Sequence, residues 1–97
     1  MADIVITEFF DAWAVDDLKR DFAVHYDPKL VDKPDEIMRV AADVPALIVR
    51  NRTQVRGEVL DGCKALKIIG RLGVGLDNID MDECVRRSIQ VFPATGA

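Results

Sequence analysis

ALIVRNRT at residues 46–53 and LKIIGRLGVGLDNID at residues 66–80 decide the fold. Each opens with a short apolar run that leads to arginine: Ala46 to Val49 runs into Arg50-Asn51-Arg52, and Leu66 to Ile69 leads to Arg71-Leu72-Gly73-Val74-Gly75. Runs this apolar read as parallel strands buried on both faces. In open α/β sheets the ligand sits outside the carboxyl ends of the strands. Here those ends carry arginines and a glycine-rich turn, which together describe an anion site for a small carboxylate.

Working outward, the same alternation fills the chain. Ile4-Val5-Ile6 is a strand too apolar to be half-exposed, and Thr7-Glu8-Phe9-Phe10 leads out of it. Asp11 is placed to cap a helix in which Ala14, Val15 and Leu18 share a face. Trp13 lies off that stripe and is expected to cover an edge. Residues 22–26 alternate as a short edge strand, with the lone histidine, His25, inside it and without a nucleophile partner. Asp27-Pro28-Lys29 turns the chain. A helix opens at 32–35 with Pro34 in its first turn, carries Ile37, Val40, Ala41 and Val44 on one face, and stops at Pro45. A short helix is expected near 57–63 and a fourth strand over 67–69 or slightly beyond. Asp80 and Glu83 form a capping box for a helix to about Arg87, where Ser88 stands in place of the usual glycine. Residues 89–92 make a fifth strand and 93–97 a loop.

This β-α-β alternation predicts an α/β fold with a parallel sheet and right-handed crossovers. A short edge strand after the first helix favours the flavodoxin-like order 2-1-3-4-5, with helices on both faces. The tips of strands one, three and four then converge on one crevice.

Composition narrows the function. A net charge of −4 argues against nucleic acid or an anionic membrane as partner, which makes the local cluster Arg50, Arg52, Arg56 and Arg71 the more informative. Any of these arginines can instead pair with a surface carboxylate. Cys63 and Cys84 fit no metal spacing and read as buried free thiols, pointing to a reducing, cytoplasmic setting and no metal. No apolar run approaches the ~18 residues of a membrane span, and the start of the chain lacks signal-peptide features. Within the tips, Arg50 or Arg52 offers a planar fork to a carboxylate, and Gly73-Val74-Gly75 permits a nest of backbone N–H groups. A dinucleotide fingerprint is rejected: the third glycine position holds Asn78, no helix opens at the glycines, and no acid follows at the required distance. A phospho-receiver site is rejected because Arg50 occupies the end of strand three and no lysine follows Lys67.

Taken in order, LIVRNRT, LKIIGRLGVGLDNID and the closing SIQVFPATGA resemble the D-isomer-specific 2-hydroxyacid dehydrogenases, particularly their phosphoglycerate dehydrogenase branch. The match covers about half the chain; residues 1–45 agree only in pattern. The resemblance implies that residues 1–97 are a substrate-binding domain and that the nucleotide-binding domain, with the family's GxGxxG loop, arginine, glutamate and histidine acid–base, is missing. It makes Arg50 a substrate-facing arginine and puts Asn51 where serine is common. Arg52 is grouped with them as substrate-binding. Arg71 would line the interdomain cleft, and the amides of Val74 and Gly75 would face the substrate carboxylate. Val74 would also lie beside the nicotinamide. Asn78 and Asp80 would be structural. The implied partners are a small 2-hydroxy or 2-keto acid and NAD or NADP in a full-length homo-oligomer; this chain alone would hold no cofactor and catalyse nothing. In such enzymes the returning C-terminus supplies a helix on the face of the first helix. Without that final helix, an exposed apolar patch is expected. The alternative is a stand-alone flavodoxin-like module that binds a small anion or dimerises, without chemistry.

Overall fold

The computed structural model describes residues 2–72 and 76–94. Five parallel strands form one sheet in the order β2-β1-β3-β4-β5. The strands are β1 (Ile4–Ile6), β2 (Val24–Tyr26), β3 (Ala46–Val49), β4 (Ile68–Leu72) and β5 (Gln90–Ala94). The crossovers contain α1 (Ala12–Lys19), α2 (Pro34–Ala41), α3 (Gly57–Gly62) and α4 (Met81–Arg86), with a 3-10 turn over Pro28–Asp32 ahead of α2. The strand order read from the sequence is therefore the one observed.

Right-handed crossovers put the helices on opposite faces according to the direction each connection takes. The connections through α2, α3 and α4 lay a continuous core against one face. It contains Leu30, Ile37, Ala41 and Val44 from the α2 segment, Val59, Leu60 and Cys63 around α3, and Cys84 and Ile89 around α4. These pack on Val5, Leu47, Val49 and Ile69, each fully buried. Helices α2 and α3 approach closely enough that a Cβ on Gly62 would collide with the Met38 side chain. On the other face, Val15 and Leu18 of α1 cover Ile4, Ile6, Val24 and Ile48. The Tyr26 hydroxyl ties down the lead-in to α1, accepting from Phe10 N–H and donating to Phe10 C=O.

Local signals explain most element ends. The Asp80 carboxylate accepts the Glu83 N–H at 3.1 Å and starts α4. Ser88 ends that crossover with φ 59°, the left-handed conformation that glycine usually provides. Asp27 caps the 3-10 turn by accepting from Lys29 N–H. Asp11 sits at the start of α1 but makes no capping hydrogen bond.

Besides the missing Asp11 cap and a β2 that begins at Val24 rather than at residue 22, four local details differ from the sequence reading. The turn at Asp27-Pro28-Lys29 continues as a 3-10 helix to Asp32. Strand β4 runs on to Leu72, since the ladders to β3 and β5 carry it past Gly70. Strand β5 continues through Pro93 to Ala94 rather than yielding to loop at 93; β5 is an edge strand, where a missing N–H can be tolerated. Trp13 is 73% exposed and covers no edge among the described residues.

Candidate functional site

The carboxyl ends of β1, β3 and β4 meet as inferred, and a buried acid joins the first two. Glu8, two residues beyond β1, is only 5% exposed. Its carboxylate accepts the N–H groups of Arg50 at 2.8 Å, Arg52 at 3.2 Å and Thr53 at 2.8 Å. The Thr7 and Thr53 hydroxyls share a buried hydrogen bond of 2.8 Å beside it. Burial alone would push the Glu8 carboxyl up. The Thr53 hydroxyl and the three backbone amides outweigh burial and hold its pKa below the ordinary glutamate value.

From the opposite side, Asn78 grips the carbonyl oxygens of the same loop. Its side-chain amide donates to Arg50 C=O at 2.9 Å and Thr53 C=O at 2.8 Å. Its Oδ1 accepts a long bond from Arg71 Nε at 3.4 Å. The segment after β4 also pairs with the segment after β3: Val55 N–H donates to Asn78 C=O, and Asp80 N–H donates to Val55 C=O. The structural role expected of Asn78 and Asp80 is thus visible in their bonds.

The four arginines separate by partner. Arg71 is 6% exposed, and its Nη1 donates to Leu72 C=O at 2.6 Å. Arg52 meets Asp32 at 2.7 Å in an exposed ion pair, a contact weak enough to exchange for a ligand. Arg56 donates to Asp77 C=O. The exposed Arg50 guanidinium has no hydrogen-bond or ion-pair partner among the described residues, although its backbone is fixed on both sides. Asn51 is exposed next to it. Val74 and Gly75 lie outside the described residues.

The rest of the chemistry lies elsewhere. His25 is exposed within β2, whose ladder pairs it with Val5, before the carboxyl ends. Cys63 and Cys84 are free and buried. Burial pushes the Cys63 thiol up to about 11 and raises Cys84 as well, so neither is an activated nucleophile. Among the described residues no three His, Cys, Asp or Glu side chains gather as metal ligands, and no helix is long and apolar enough to cross a membrane. Sequence reasoning put Glu8 at the end of the first strand, beside the crevice, but gave it no role. It is a lone acid after an all-apolar strand, and its partners lie more than forty residues away.

Residues 4–97 match the family model described as D-isomer specific 2-hydroxyacid dehydrogenase, catalytic domain. The chain is 52% identical over 96 residues to an (S)-sulfolactate dehydrogenase from Chromohalobacter salexigens, covering 99% of this chain and 31% of that protein. Among solved structures, a protein from Pyrococcus horikoshii OT3 superposes with a TM-score of 0.87 at 26% identity, over 99% of this chain and 28% of its own. An NAD+-bound 3-phosphoglycerate dehydrogenase from Entamoeba histolytica superposes with a TM-score of 0.77 at 27% identity, over 93% of this chain and 32% of its own. The chain therefore spans about a third of the length of these relatives.

Proposed function

This chain belongs to the D-isomer specific 2-hydroxyacid dehydrogenases, and from that premise we propose that it is the substrate-binding portion of an NAD-dependent enzyme acting on a small 2-hydroxy or 2-keto acid. One observation carries the reading. Of four arginines near the strand ends, Arg50 alone presents a guanidinium without a partner among the described residues, on a backbone fixed by Glu8 and Asn78.

A guanidinium held this way is suited to a carboxylate, which it meets through two parallel N–H···O bonds. That contact fixes the orientation of C2 of the acid. Arg52 can leave its exposed pair with Asp32 and meet a second anionic group. The relative named for sulfolactate makes a sulfonate our first choice for that group, with a phosphate as the competing one. Asn51 lies between the two arginines and is assigned to the same substrate. The family resemblance adds the amides of Val74 and Gly75 on the carboxylate and places Val74 beside the nicotinamide.

When bound, NAD would supply the hydride acceptor or donor of the family reaction. The chain has no strand-to-helix glycine fingerprint to hold a pyrophosphate, so we assign the dinucleotide, and the acid–base that moves the hydroxyl proton, to residues outside these 97. What this chain contributes is binding and orientation. The same outside part is our assignment for the cover of the apolar depression beside β4 and β5, lined by Ile48, Ile68, Gly70 and Phe92.

The test is to isolate the native gene product, weigh it, and assay NAD reduction with sulfolactate, 3-phosphoglycerate and glycerate. The proposal expects a mass well above 10.8 kDa and turnover of at least one acid, with sulfolactate preferred. A product of 10.8 kDa that turns over none of them would overturn it.

A further inference from the structure

The loop at 50–53 is itself an anion nest, and the protein's own carboxylate fills it. Three N–H groups from four consecutive residues converge on Glu8, with Arg50 and Thr53 on Oε2 and Arg52 on Oε1. Such a cluster of successive amides ordinarily captures a free anion. Here those three amides are spoken for, so at this loop a substrate anion is met by side chains and not by the backbone. Among the described residues no arginine or lysine forms an ion pair with Glu8. Its charge is balanced by backbone dipoles, which leaves the Arg50 guanidinium out of that compensation.

We propose that Glu8 is a positioning residue for the acid substrate: it clamps the 50–53 amides and so aims Arg50 outward at the sheet's carboxyl end. This rests on the reading of Arg50 given above. The clamp has two jaws. Glu8 takes the loop's donors while Asn78 takes the acceptors of Arg50 and Thr53. With both jaws closed, the Arg50 backbone is fixed before substrate arrives and only its side chain remains to be ordered. An exposed loop carrying the same arginine would lose that entropy on each binding event. Replacing the carboxylate by a carboxamide puts an NH2 group against N–H donors. Donor then faces donor, and at least one amide loses its partner.

The experiment compares Glu8→Gln with wild type by two independent readouts on the full-length protein. The first is native-state hydrogen exchange at Arg50, Arg52 and Thr53. In wild type these amides are expected to exchange as slowly as those of β3; in Glu8→Gln they should exchange faster, with β1 and β3 unchanged. Unchanged protection in the variant, or free-loop exchange in wild type, overturns the clamp whether or not the protein proves to be a dehydrogenase. The second is steady-state kinetics. The KM for the acid should rise by about tenfold or more, as for a misplaced binding group, with kcat and the KM for NAD nearly unchanged. Equal loss in every parameter would mark a merely structural role and overturn the proposal. Should Glu8→Gln fail to fold, Glu8→Asp keeps the charge but shortens its reach, and the same split in KM decides. A wild-type protein inactive on every 2-hydroxy acid would refute the proposed function, and the exchange readout would still judge the clamp.

Discussion

Ile68 and Ile69 are adjacent in β4 and have opposite fates. Ile69 points into the face covered by α2, α3 and α4 and is fully buried; Ile68 points to the face of α1 and is 43% exposed. The difference extends across the sheet. One face carries a continuous core from β1 to β4. The other is covered by α1 near β1 and β2, then gives way to an apolar depression of about 720 Å³ where Phe92 is also more than half exposed. Parallel strands with apolar residues on both sides need two covers. The described residues supply one in full and one in part. A contiguous exposed apolar patch of this kind marks an interaction surface, and under the proposed function it is where the part outside these 97 residues would sit.

The largest test of this asymmetry is a pair of substitutions one residue apart. Ile69→Ala should cost about 2–5 kcal/mol of unfolding free energy, because it opens a cavity in a closed core. Ile68→Ala should cost under about 1 kcal/mol, within the range of surface changes plus some partial burial. Urea unfolding of both variants of the 97-residue chain measures this, and equal losses would contradict the asymmetry.

Acid comes next, because it attacks the clamp at the strand ends where the two faces meet. The folded pKa of Glu8 is depressed. Its contribution to stability is therefore present above the ordinary glutamate value and is lost as pH falls through the lower folded value. Unfolding free energy should decline across that acidic window, and Glu8→Gln should remove that part of the decline. An acid limb unaltered in the variant would contradict the assignment.

A smaller contrast separates the helices on the two faces. Asp80→Ala removes the working cap of α4 and should cost about 1 kcal/mol. Asp11→Ala, at the uncapped start of α1, should cost clearly less, since no side-chain bond is lost. The smallest effect concerns the thiols. Cys63 and Cys84 belong to the closed face, so the folded 97-residue chain should resist alkylation at neutral pH while an apolar dye binds its open face. Rapid alkylation without unfolding would show that the closed face is not closed.

The sequence carried the fold because its signals were local. Apolar runs, Pro45, the Asp80 capping box and Ser88 each act within a few residues of themselves, and strand order followed from the short alternating run of β2. The extension of β5 through Pro93 was not local; it depends on the ladder to β4. The site was half legible for the same reason. The arginines suggested an anion site, yet which of them stays unengaged depends largely on Asp32, Asp77 and Asn78, each seven or more residues from the arginine it meets. Glu8 was invisible as an organiser because nothing near it distinguishes a buried carboxylate from a solvated one. Only the meeting of β1 and β3 brings it the amides that make burial tolerable.

The central claim is that Arg50 holds the acid substrate. The most direct measurement is the steady-state kinetics of Arg50→Ala in the full-length protein, with acid and NAD varied separately. The account predicts a KM for the acid raised by about tenfold or more, as expected when a bidentate contact to a carboxylate is lost, with the KM for NAD unchanged. Equal effects on both substrates, or none on either, would contradict it.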